Sequence, residues 1–112
     1  MDYTKEQRQE IANTILQQLG GIGRLVAMTG AKNFMSHAEG GVSFKIGRNA
    51  KRVNYVKIML TPDDLYNVEF MWVTVKKITV KDSTEGAYND MLRDLFENAT
   101  GMYLTLGEVR FS

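Results

Sequence analysis

The residues best suited to bind a charged ligand lie in one short stretch of the sequence. The segment "SFKIGRNAKRVNYVKI", residues 43–58, contains no acid and five basic side chains: Lys45, Arg48, Lys51, Arg52 and Lys57. Lysine and arginine neutralise phosphates, and an aromatic side chain such as Tyr55 can stack on a base. The stretch therefore predicts a nucleic-acid-binding surface. The alternative is a charged hairpin tip that keeps the strand ends in water and blocks edge pairing.

The single histidine stands next to a serine in "SHAE". Adjacent Ser36 and His37 side chains diverge on most backbones, whereas nucleophilic catalysis needs side chains that converge. One histidine with scattered carboxylates, such as Glu39, is a thin ligand set for a transition metal. We therefore expect His37 to be a polar loop residue, and we predict no catalytic residue, no metal site and no cofactor.

Two further patterns look like chemical motifs but have structural explanations. Asp63 and Asp64 follow Pro62 in "TPDDL", which is typical of a turn, and catalysis by paired carboxylates would need Glu69 to converge on them. The glycines of "GGIGRLVAMTGAK" do not match a phosphate-binding loop, because Asn33 stands where Ser or Thr is required. The hypothesis left for this segment is that "MTGAKN" forms the loop of a small hydrolase or of a nucleotide-binding protein.

Length and composition exclude several classes of protein. The 112 residues, 44% hydrophobic and 24% charged, fit one domain spanning residues 1–112. With 14 basic and 13 acidic residues the net charge is +1, so only a local concentration of cations can attract a polyanion. The chain has no cysteine, which fits a reducing cytosol. The polar N-terminus and the lack of an apolar run of roughly 20 residues predict no signal peptide and no membrane partner.

An amphipathic helix is predicted for residues 4–19. Thr4 and Gln7 match a capping box, and the glycines at 20 and 21 end the helix. Its apolar stripe comprises Ile11, Ala12, Ile15, Leu16 and Leu19.

A second helix is predicted for residues 83–100. Asp82 would cap it, Glu85 would complete a capping box, and Gly101 would end it. The segment "MYLTL", residues 102–106, is expected to add an edge strand or to pack as a tail.

Between the helices, apolar runs, alternation and β-branched residues predict strands at residues 24–29, 42–47, 53–60, 66–73 and 74–80. Residues 30–41 are expected to form a loop or a short helical turn. "RNAKR" is the predicted hairpin loop, with Asn49 tolerating a positive φ, and a bulge or bend is expected near residues 74–77. Trp72 is expected in the core, beside Val68 and Phe70.

These elements predict an α+β fold: an N-terminal helix, an antiparallel sheet of four to five strands in a meander, and a C-terminal helix packed on one sheet face. The other sheet face is expected to be partly open, bearing Ser43, Lys45, Tyr55, Lys57, Asn67, Glu69 and Met71. If the "TGAKN" loop lies near "RNAKR", Lys32 joins the basic surface.

Three segments, "LVAMTGAKNF", "TPDDLYNVEF" and "EGAYNDMLRDLFENATGMYLTL", give the chain a family resemblance. From about Ile15 to Leu106 it resembles a family of small uncharacterised proteins carried by bacteriophages and plasmids. The resemblance implies an accessory protein of a mobile element in a bacterial cytoplasm. It implies no reaction and no catalytic residues.

The function expected from the sequence is non-enzymatic binding of nucleic acid, weak and electrostatic, through a basic β-hairpin surface. Its expected residues are Lys32, Lys45, Arg48, Lys51, Arg52, Tyr55 and Lys57. The alternative is a protein-interaction factor that binds a host protein, for example one of a defence system, or forms a homo-oligomer. Its contact would be the open sheet face with Met59 and Met71.

Overall fold

A computed structural model describes residues 3–104. In chain order it contains α1 (Lys5–Gln18), α2 (Ile22–Thr29), β1 (Lys32–His37), β2 (Gly41–Lys45), β3 (Tyr55–Leu60), β4 (Tyr66–Val73), β5 (Ile78–Ala87), a 3₁₀ turn (Asn89–Met91) and α3 (Leu92–Thr100). The strands form one antiparallel sheet in the order β1-β2-β3-β4-β5. The predicted α+β meander is confirmed. Within residues 3–104, no helix is both long and apolar enough to cross a membrane.

The first helix begins at the predicted capping box. The Thr4 hydroxyl accepts a hydrogen bond from the Gln7 backbone N–H at 3.2 Å, and the Gln7 side chain accepts one from the Thr4 N–H at 2.9 Å. These bonds satisfy two donors that a helix start leaves free. The apolar stripe of α1, including the fully buried Ile15, then packs on the sheet.

Both terminal helices cover the same sheet face, as predicted. The α3 side chain Phe96 meets Phe70 of β4 edge to face, with ring centroids 6.2 Å apart. After α3, the Leu104 side chain is fully buried and its N–H donates to the Glu97 carboxylate at 2.7 Å. The "MYLTL" segment therefore packs as a tail as far as Leu104; residues 105 and 106 lie outside the described part of the chain.

Two predictions around residues 24–37 are wrong. The apolar run predicted as a strand at 24–29 belongs to α2, which begins at Ile22 and ends at Gly30 in the left-handed conformation (φ 69°). The segment predicted as a loop or helical turn contains β1, which pairs with β2 through a bulge between Lys32 and Met35. The prediction of a strand at 24–29 failed because the apolar run of α2 is as short as a buried strand. The strand β1 was missed because its sequence, "KNFMSH", is mostly polar.

The predicted boundary between the last strand and the last helix is also wrong. The capping box expected at Asp82 and Glu85 does not form, because residues 78–87 pair with β4. The helix instead begins at Leu92 and ends, as predicted, at Gly101. The bend predicted near residues 74–77 is confirmed: the Thr74 N–H donates to the Lys77 carbonyl at 2.9 Å and closes the β4–β5 turn.

The sheet register fixes which side chains share the face opposite the helices. Lys45 lies across from Tyr55, which lies across from Met71. One row further along, Ser43 lies across from Lys57, which lies across from Glu69. The predicted membership of this face is therefore confirmed for these residues. However, Ser43 is fully buried and Met71 is only 8% exposed, so the face is less open than predicted.

Candidate nucleic-acid interface

The loop between β2 and β3 is organised by the side chain of Asn49. Its amide nitrogen donates to the carbonyls of Gly47 and Val53, and its amide oxygen accepts from the Val53 N–H at 3.1 Å. The positive φ predicted for Asn49 occurs instead at Arg52 (φ 57°). Asn49 thus holds the loop by its side-chain hydrogen bonds, and Arg52 is the residue in the left-handed conformation.

A second asparagine fastens this loop to the neighbouring strand. The Asn54 amide donates to the Val73 carbonyl at 2.8 Å and accepts from the Val73 N–H at 2.7 Å. The side chain thereby extends the pairing of β3 with β4 beyond the regular ladder. The loop is therefore tied to the sheet at its base.

The "TGAKN" segment lies beside this same loop. The Gly47 N–H donates to the Thr29 carbonyl at 2.7 Å, and a Cβ on Gly47 would stand 3.0 Å from that oxygen. Only a residue without a side chain permits this approach at little cost. Lys32 is three residues after Thr29 and lies across from Lys45, so the condition for including Lys32 in the basic surface is met.

Two cavities open where these segments meet, and both are lined by Asn54. One, of about 490 Å³, is lined by Gly47, Arg48, Asn49, Arg52, Val53, Asn54 and Trp72. The other, of about 230 Å³, is lined by Lys32, Lys45, Ile46, Asn54, Tyr55 and Val73. We call them the Trp72 cavity and the Tyr55 cavity. Each combines two cations with one aromatic ring, and none of these lining residues is an acid.

Five of the seven residues predicted for the interface line these cavities, and two do not. Lys51 is exposed on the loop, and its stem lies near Gly101 at the end of α3. Lys57 stands on the sheet face between Ser43 and Glu69. Neither lysine borders a cavity.

The sequence interpretation placed Trp72 in the core and therefore missed it as a site residue. Its ring is only half-buried, and the Arg52 guanidinium carbon lies 5.2 Å from the ring centroid. Trp72 is two residues from Phe70 in β4 and so has the same parity, yet Phe70 is buried and Trp72 is not. Its place at the end of an alternating strand, opposite a basic loop, is the signal that could have identified it.

A hydrogen-bonded chain on the open face was also missed. The Tyr55 hydroxyl donates to the Ser43 hydroxyl at 2.7 Å, and Ser43 lies 2.8 Å from His37 Nε2. Thus His37 is not the predicted loop residue: it lies in β1 and meets Ser43 rather than the adjacent Ser36. Since Ser43 is fully buried, the chain satisfies a covered hydroxyl and presents no accessible nucleophile.

The environment of His37 shifts its titration. Burial, and secondarily the positive charge of Lys57, lower its pKa below the ordinary 6.5, and Glu39 opposes them. Within residues 3–104, no group of three or more His, Asp or Glu side chains is arranged to hold a metal ion.

Comparisons with known proteins found no match to a protein-family model, to a curated protein or to a solved structure.

Proposed function

We propose that the protein is a non-enzymatic nucleic-acid-binding module that uses the end of the sheet formed by the β2–β3 loop. The observation that carries the proposal is the convergence of Lys32, Lys45, Arg48 and Arg52 with two aromatic rings around adjoining cavities. The family resemblance supports a role as an accessory protein of a phage or plasmid in the bacterial cytoplasm.

The chemistry of the cavities favours a polyanion with aromatic groups. Four cations can neutralise successive phosphates, and Tyr55 and Trp72 offer apolar rings beside them. No acid lines either cavity, so these cations are not offset by a carboxylate at the cavity wall. Binding is therefore electrostatic, weakly sequence-specific and steeply dependent on salt.

The test is binding of a fluorescently labelled oligonucleotide at low and at physiological salt. The variant carrying Arg48→Glu and Arg52→Glu should lose binding at low salt, whereas raising the salt should weaken binding of the unmodified protein. The control is Lys5→Glu, an exposed residue of α1 near the opposite end of β2, where Tyr3 meets Ala38. Absence of binding at low salt, or equal loss in the control, would refute the proposal.

The alternative function is protein interaction through the open sheet face. It is favoured by the exposed apolar side chains of Met35 and Val80, which are 58% and 50% exposed on rows of that face. Met71 contributes little, because it is nearly buried.

The test of this alternative is whether the protein self-associates, or binds a host protein, through that face. A doubly substituted variant, Met35→Lys with Val80→Lys, should then lose the association. An association that survives in the variant would exclude this face as the contact.

A further inference from the structure

The Trp72 cavity has the features of a site for one planar ring. Its volume of about 490 Å³ lies within the range of small-ligand pockets. The half-buried indole forms one wall, and the Arg52 guanidinium is positioned over the ring at 5.2 Å. A cation and an aromatic ring in this arrangement attract each other, and both also bind nucleotides.

The backbone of Arg52 is held in an unfavourable conformation. Its φ of 57° is uncommon for a residue with a side chain. The loop imposes it: the Arg52 N–H donates to the Asn49 carbonyl at 3.2 Å, and the next residue, Val53, is tied to the Asn49 amide. Such outliers cluster at ligand sites, where the surrounding structure supports them.

The polar groups of the cavity are poorly suited to distinguishing one base from another. Both hydrogens of the Asn49 amide nitrogen are committed to the carbonyls of Gly47 and Val53. The Asn54 amide is paired with the backbone of Val73 on both its nitrogen and its oxygen. One hydrogen of the Asn54 amide nitrogen stays uncommitted, so the cavity offers a ring to stack on, the charges of Arg48 and Arg52, and a single free amide donor.

Stacking on a recessed ring requires a base whose face is free. In the interior of a duplex both faces of each base are covered by its neighbours, so the indole can reach such a base only in a single strand or after the base is flipped out. We infer, building on the proposed nucleic-acid binding, that the ligand is single-stranded and that one unpaired base stacks on Trp72. On entry the base displaces the Arg52 guanidinium from the ring, and the guanidinium then contacts a phosphate.

The test uses the intrinsic fluorescence of Trp72, which is the only tryptophan of the chain. A mixed-sequence single strand should change the Trp72 emission and bind at least about fivefold more tightly than the duplex of the same length, since stacking of one base contributes about 1–3 kcal/mol. Trp72→Leu should lower single-strand affinity by about five- to 100-fold. Trp72→Phe, which keeps an aromatic face, should recover part of it, and circular dichroism melting verifies that both variants fold.

The outcomes separate this inference from the proposed function. If single strand and duplex bind equally and Trp72→Leu changes neither affinity, the inference falls while nucleic-acid binding stands. If neither form binds at low salt, both fall. A nucleoside monophosphate is titrated in parallel: an emission change as strong as that produced by the single strand at equal nucleotide concentration would overturn the assignment to a strand.

Discussion

At the scale of single residues, the basic stretch divides into cations that border a cavity and cations that do not. Arg48 and Arg52 line the Trp72 cavity, whereas Lys51 is directed toward the end of α3. A cation in contact with a phosphate forms a charge-assisted hydrogen bond, but a nearby cation contributes only through the screened field. The number of charges alone does not distinguish the two groups, so the prediction from sequence assigned both to the interface.

We expect unequal effects from equal losses of charge in this stretch. Arg48→Gln should weaken oligonucleotide binding by roughly tenfold, since a hydrogen bond to a charged group contributes about 1.5 kcal/mol or more. Lys51→Gln removes the same charge from the same loop and should weaken binding much less. Fluorescence anisotropy at one low salt concentration measures both. Equal losses of affinity in the two variants would mean that the oligonucleotide does not contact the residues that line the cavity.

His37 permits a second prediction at this scale, because it is the only histidine of the chain. Its pKa is lowered in the folded protein by burial and then by Lys57, so the unfolded chain takes up the proton first as pH falls. Stability is therefore complete above the unfolded pKa of 6.5 and decreases as the pH falls below it toward the folded pKa.

The measurement is the melting temperature between about pH 8 and 5, above the ordinary carboxylate range. His37→Gln should flatten the dependence between pH 7 and 5, whatever its effect at pH 8. An unchanged slope in the variant would contradict the structural account of His37.

At the scale of elements, two asparagine side chains hold the loop between β2 and β3 by hydrogen bonds to the backbone. Asn49 bonds within the loop, and Asn54 bonds across to Val73. The loop thus presents Arg48 and Arg52 from a fixed frame. Preorganisation of this kind lowers the entropy lost on binding.

Removing the Asn49 side-chain hydrogen bonds should lower the free energy of unfolding by about 1–3 kcal/mol, the usual effect of leaving partly buried backbone groups without partners. Asn49→Ala is the test and Asn98→Ala, at an exposed position of α3, is the control, which should change stability by less than about 0.5 kcal/mol. Urea denaturation measures both. Equal stability of the two variants would show that Asn49 does not support the loop.

Prediction from sequence succeeded at elements whose periodicity is long and clean. The α1 stripe, the alternation of β2, β3 and β4, and the turn near Thr74 were identified. It failed where a local pattern was overridden by pairing: the acids of "DSTE" resemble a helix start, yet residues 78–87 bond to β4. α2 was missed, although apolar residues at positions 22, 25 and 26 have helical spacing.

The candidate site was predicted only in part, because some of its residues are close together in the sequence and others are not. Three of its four cavity-lining cations, Lys45, Arg48 and Arg52, lie in one basic segment of the sequence and were therefore predicted. Lys32 joins them through the contact between Thr29 and Gly47, and Trp72 through its position at the end of β4. Contacts between distant segments such as these depend on the sheet register and on backbone approach, which local patterns do not specify.

At the scale of the whole molecule, the two ends of the sheet differ. At one end the chain before α1 closes over the β1–β2 turn, where the Tyr3 N–H donates to the Ala38 carbonyl at 3.0 Å. At the other end lie the two cavities with their cations. The acids Asp90 and Asp94 border a separate groove at the start of α3.

The most direct test of the account is a map of backbone and indole N–H chemical shifts recorded while a single-stranded oligonucleotide is added at low salt. We expect the largest changes at Lys32, along residues 45–55 and at Trp72, including its indole N–H, with residues 82–87 of β5 and α3 nearly unchanged. Changes confined to β5, α3 or the β1–β2 turn, or no change at all, would contradict the claim that the cavity-bearing end of the sheet binds nucleic acid.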